Sequence, residues 1–96
     1  MNTQVAQDYP EIQLPLIHMN GNSGTVLGNE YLEALRALTA FTNAFYKIEF
    51  HARDYYPLGD EAWVKAQAQR QTQKANIESL RDYLDAHAGH CFESAR

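Results

Sequence analysis

The sequence predicts an all-α protein: a long antiparallel helical hairpin with an extended N-terminal arm, assembling into a helical-bundle homo-oligomer. Three observations predict it. Leu27, Tyr31, Ala34, Leu38, Phe41, Phe45 and Ile48 recur at spacings of 4, 3, 4, 3, 4 and 3, which traces one face of a helix. A second helical stretch follows the breakers Pro57 and Gly59. No segment supplies a partner for a strand, so a sheet could form only between chains. The 96 residues suffice for one small domain. Its expected parts are an arm and capping loop over 1–22, a hairpin over 23–89 and a C-terminal tail over 90–96.

The polar residues 1–10 are expected to fray. In "EIQLPLIHMNG", Ile12, Leu14, Leu16 and Ile17 alternate in part, but Pro15 argues against a central strand. The segment reads as an arm lying on helical surface. Ser23 is a good N-cap for the first helix, with Asn22 a second candidate. Leu35 and Tyr46 widen its apolar stripe, while Leu32 and Val26 reach other faces. Gly24 and Gly28 weaken the first turns by roughly 1 kcal/mol each relative to Ala. The helix is therefore expected to fray at its start or to begin as late as Asn29.

The second helix is expected near Asp60, which can cap it, with Glu61 suited to the positive end of the helix dipole. Its seam runs Trp63, Ala66, Arg70, Gln73, Ile77, Leu80, Leu84 and His87. The centre, "KAQAQRQTQKAN", holds no large apolar residue. Small residues there can pack closely against Phe41, Phe45 and Tyr46 of the first helix. Arg70 and Gln73 either reach outward into solvent or form a polar strip at an oligomer interface or ligand cavity. Gly89 is expected to end the helix. Helices of about 26 and 29 residues in a hairpin hide only one stripe each and run roughly 40 Å. The remaining Leu, Phe, Tyr and Trp call for a homodimer or higher homo-oligomer.

Composition excludes several functions. The net charge is −4, the pI about 5.4, and only eight basic residues are present, scattered along the chain. Bulk attraction to nucleic acid or an anionic membrane is not expected. No apolar run approaches a bilayer span, and the start lacks the pattern of a signal peptide. The single cysteine, Cys91, allows no internal disulfide and no multi-cysteine metal site. A reducing cytoplasm fits best.

Residues with chemical potential gather at two helix ends. One group is "HMNGNSGT", with His18, Asn20, Gly21, Ser23 and Thr25 running into the first helix. A helix N-terminus offers free N–H groups and partial positive charge to an anion; equally, these residues make a capping turn with Asx-type bonds. "NGNSG" lacks the Gly-Lys-Ser/Thr ending of a P-loop. The other group is "HARDYYPLGD". Arg53 can fork onto a phosphate or carboxylate, and Tyr55 and Tyr56 offer flat faces and hydroxyls. Asp54 either binds a ligand hydroxyl or amino group or holds Arg53. In the structural alternative, one tyrosine packs under the turn and the other is half exposed. A hairpin puts the two groups at opposite ends; an antiparallel pair of chains would join them, the alternative being an arm that folds back and carries His18 elsewhere.

"LPLIHMNGNS" and "RDYYPLGDEAW", separated by a helix containing "YLEALRAL", resemble a family of small uncharacterised proteins encoded in bacteriophages and prophages. Its pattern is His-x-Asn-Gly-Thr-Ser with a later Gly-Arg-Asp-Tyr-Tyr. The resemblance covers about residues 14–86, and His18, Asn20, Gly21, Ser23, Arg53, Asp54, Tyr55 and Tyr56 match the pattern. Asn22 stands where Thr is usual, Ala52 where Gly is usual, and Phe50 replaces a Pro, which implies a hairpin tip that stays helical for longer. Gly24 and Gly28 are also unusual. The resemblance implies a context rather than an activity. Small early phage proteins often inhibit host defence, and some are oligomeric helical sponges for cyclic nucleotides or other nucleotide immune signals.

The expectation is therefore an anti-defence binding protein of the bacterial host cytoplasm that sequesters a small anionic ligand, a nucleotide by class, without turnover. The alternative is a protein-binding inhibitor of a host defence or regulatory protein. No cofactor and no catalytic residue is expected. His18, His51, His87 and His90 are the only candidates for acid–base work, with Glu49 or Asp54 to orient them. His87, His90 and Cys91 are close enough in sequence to share a metal, but none is expected at a frayed helix end.

Overall fold

Two long antiparallel helices frame the computed structural model, which describes residues 11–95. The fraying expected of residues 1–10 lies outside them. Helix α1 spans Gly24–Tyr46. It starts at once, not at Asn29, because two interactions outweigh the poor propensity of its glycines. The Ser23 hydroxyl accepts the Val26 N–H at 3.0 Å, satisfying one orphan donor. Gly24 and Gly28 are both buried against the end of the second helix. A Cβ on Gly24 would stand 2.5 Å from the Cys91 carbonyl oxygen, and one on Gly28 2.9 Å from Phe92 Cε1. Glycine is what lets the two backbones approach.

Helix α2 spans Asp60–Ser94 and passes through Gly89 instead of ending there. Among the described residues, only Gly59 has a positive φ, 106°, so Gly89 forms no left-handed C-cap. The last turns are held by what they touch. Cys91 is fully buried, Phe92 covers Gly28, and the His90 Nε2–H donates to the Pro15 carbonyl at 2.6 Å. That last bond ties the arm, irregular over residues 12–18, to α2. At its other end α2 is preceded by Gly59 as N-cap residue. Asp60 is therefore the first helical residue rather than the cap, and with Glu61 it complements the dipole.

The tip is less helical than Phe50 and Ala52 implied. α1 stops at Tyr46, before Ile48, and two 3-10 turns follow, Ala52–Asp54 and Tyr56–Leu58. The His51 ring caps the first, its Nδ1 accepting the Arg53 N–H at 3.0 Å. Pro57, without an N–H, suits the first turn of the second.

The core is thin. Leu38, Ile77, Ala88 and Cys91 are its buried apolar residues, with His87 the buried polar one. The His87 Nδ1–H donates to the Tyr83 carbonyl at 2.9 Å, and its ring lies 4.7 Å from Tyr31 and 4.3 Å from Tyr83. Midway, Arg81 reaches across to the Thr42 hydroxyl at 3.4 Å, which itself donates to the Leu38 carbonyl.

Burial raises the pKa of both the Cys91 thiol and the Tyr31 phenol above their ordinary values of 9.0 and 10.0. Each group ionises sooner in the unfolded chain. Their contribution is thus intact below about pH 8.5 and is lost as pH rises through the folded values. Urea melts are expected to show a lower midpoint at pH 10 than at pH 7. Native protein is expected to resist iodoacetamide at Cys91 until urea unfolds it. Rapid native labelling would mean that the α1–α2 crossing opens readily.

Much apolar surface stays in solvent. The accessible area is 7082 Å², against about 5,600 Å² for a compact monomer of this mass. The radius of gyration is 18.6 Å, against about 12.5 Å for a compact chain of this length. Phe41 is 53% exposed and Leu80 47%.

Candidate functional site

At the tip, three rings make a box. Phe50 lies 4.9 Å from Trp63, and Tyr55 sits 5.7 Å from Phe50 and 5.6 Å from Trp63. Trp63, Ala66 and Arg70 share one face of α2 at spacings of 3 and 4, so Arg70 arrives beside the same box. Its guanidinium carbon lies 4.7 Å from the Phe45 ring centroid and 4.8 Å from that of Phe50. Arg70 therefore folds inward and lines a cavity, the second of the two alternatives that the sequence leaves for it. Attraction to two ring faces outweighs hydration of the guanidinium in open water. Gln73 does remain exposed. Around Arg70 lies an open cavity of about 520 Å³, walled by Phe45, Ile48, Phe50 and Tyr55 and edged by Gln69 and Gln73.

The sequence-predicted tip residues separate in role. Tyr55 is packed into the box, while Tyr56 is 66% exposed. Arg53 turns to Glu49, Nη2 to Oε2 at 2.7 Å, and not to Asp54. Both partners are largely exposed. An ion pair in water holds its members weakly, so Arg53 can exchange Glu49 for another anion.

At the open end, His18, Asn20, Gly21, Ser23 and Thr25 are all exposed. The Gly21 N–H donates to the His18 carbonyl at 3.1 Å and closes the turn. Ser23 is occupied as the N-cap. One chain does not bring the two groups together, because they flank α1, whose 23 residues span about 35 Å. Near the α2 terminus, His87 and His90 each commit a ring nitrogen to a backbone carbonyl. No group of three potential metal-ligating side chains occurs among the described residues, and no helix among them is long and apolar enough to cross a membrane.

The sequence offers Arg70 only as one alternative for a cavity strip and does not single out Phe50 and Trp63 as site residues. The signal that finds them is the helical phase of Arg70 with Trp63, opposite the aromatic end of α1. A second, more apolar cavity of about 420 Å³ adjoins the first through Phe45 and Gln73, and is lined by Leu38, Phe41, Ile77 and Leu80. In comparisons with known proteins, no family model, curated protein or solved structure matches this chain.

Proposed function

We propose that the protein is a phage-type anti-defence binding protein, which captures a small anionic ligand of the nucleotide class and holds it without turnover. The observation that carries this reading is the exposed apolar face of a hairpin whose two polar clusters sit at opposite ends. Covering that face with a second, antiparallel copy buries Phe41 and Leu80. It also sets the tip of each chain against the open end of the other. Two equivalent composite sites result. In each, the N-terminus of α1 and Arg53 hold phosphate, Tyr56 stacks on a base, and Asn20 or Asp54 reads a base or ribose edge. The excess of exposed area over a compact monomer, about 1,500 Å² per chain, exceeds the roughly 800 Å² that each partner contributes to a standard interface.

The test is isothermal titration against cyclic di- and trinucleotides and ADP-ribose derivatives, with protein above about 10 μM. One class is expected to bind in a fixed ratio to chains, and Arg53→Ala to weaken it about tenfold or more by removing a charged fork. If no compound gives heat, the capture reading falls. Recovery of one dominant partner from host lysate would instead favour the protein-binding alternative.

A further inference from the structure

At the cavity beside α2 the Arg70 cation lies against two rings, with no carboxylate partner among the described residues. Its guanidinium is half-buried against Phe45 and Phe50. Among the described residues salt bridges join Arg36 to Glu33 and Arg53 to Glu49, and neither of these pairs Arg70 with a carboxylate. Arg70 donates no side-chain hydrogen bond to another described residue, and no buried side-chain nitrogen or oxygen lacks a partner, so its N–H edge keeps some access to solvent. The rings take up the faces of the guanidinium and leave its rim of donors free. The two ring faces offset the hydration lost from the faces of the guanidinium, and the rim can still add charge-assisted hydrogen bonds to an arriving anion.

The rest of the wall narrows the ligand. Tyr55 and Ile48 are apolar surfaces for a flat ring, and the Gln69 and Gln73 amides can each donate to and accept from a base edge. The volume of about 520 Å³ falls in the range of small-ligand sites, roughly 300–1,000 Å³. We infer that this cavity is a second anion site, contained within one chain, that takes a nucleoside monophosphate unit with its phosphate on the Arg70 rim and its base between Tyr55 and the glutamine edge. It goes beyond the composite site proposed above, since it needs neither a second copy nor Arg53.

Trp63 reports on it. It is the chain's only tryptophan and packs at a tilt against Phe50 and Tyr55, which wall the cavity. Its fluorescence is titrated with AMP, adenosine and ribose 5-phosphate against the full chain, Arg70→Ala, Arg70→Lys, Arg53→Ala and Arg36→Ala. AMP is expected to change the Trp63 emission with saturation, and adenosine and ribose 5-phosphate each to bind at least tenfold more weakly. Arg70→Ala loses at least tenfold in AMP affinity, Arg70→Lys recovers only part of it, and Arg36→Ala, which removes an exposed arginine paired to Glu33, leaves it unchanged. Circular dichroism verifies that each variant keeps its helices, and Arg70→Lys serves if Arg70→Ala does not fold. No saturable change with AMP up to millimolar concentration overturns the inference. So does equal binding of AMP and ribose 5-phosphate, or a loss confined to Arg53→Ala, which would leave the composite site standing alone.

Discussion

Gly24→Ala is expected to destabilise the protein by about 2 kcal/mol, the middle of the range for overpacking, and to lower its Tm by roughly 8–16 °C. The new methyl would meet the Cys91 carbonyl oxygen at 2.5 Å and the Ala95 Cβ at 2.9 Å. The first of these is backbone inside a helix, so it cannot rotate away. Relief requires the helix ends to separate, which unpacks Cys91. Propensity opposes this loss by at most roughly 1 kcal/mol, and by less in the first turn. Sterics therefore win. At Gly28 the obstacle is the Phe92 ring edge at 2.9–3.1 Å, which can swing aside. There the two terms nearly cancel, and Gly28→Ala should change stability by less than about 1 kcal/mol. At Gly89 nothing stands within 4 Å, so Gly89→Ala should stabilise by up to about 1 kcal/mol. Thermal melts at one fixed protein concentration read all three. A Gly24→Ala protein that melts with or above the parent would mean that the helices do not cross as closely as described.

The same glycines mark where the sequence stopped being legible. Local propensity reads Gly24 and Gly28 as weak points and Gly89 as a stop, since each lowers helix stability by a similar amount whatever surrounds it. Their roles differ only through what lies across the hairpin, over 60 residues away in sequence for Gly24 and Cys91. The period of apolar residues in α1, the Ser23 cap and the break at Pro57–Gly59 were legible because each is a short-range requirement. The partner of Arg53 was not. Glu49 and Asp54 are both near in sequence, and the 3-10 turn at Ala52–Asp54 decides between them. Arg70 was half legible. Its seam position was plain, but whether a cation on a seam turns out or in depends on rings supplied by the other helix.

Phe41→Glu is expected to abolish assembly while leaving the hairpin's own fold almost intact. In a lone chain the Phe41 ring is 53% exposed, so its loss removes only about half of a buried phenylalanine's contribution, on the order of 1 kcal/mol. In an antiparallel pair the same ring, with Leu80 beside it along the apolar cavity, lies at the centre of the contact. A carboxylate there must be buried without a partner or must keep the chains apart, and the second is far less costly. Sedimentation velocity separates the two cases. The parent should sediment as a dimer or larger at about 10–100 μM, the range that micromolar association would populate, and its Tm should rise with concentration. Phe41→Glu should sediment as a monomer with a Tm independent of concentration and little change in helicity. A parent already monomeric at the highest concentration would remove the second copy, and with it the joining of Arg53 to the open end of α1. A monomeric parent that still bound AMP through Arg70 would place ligand capture inside a single hairpin.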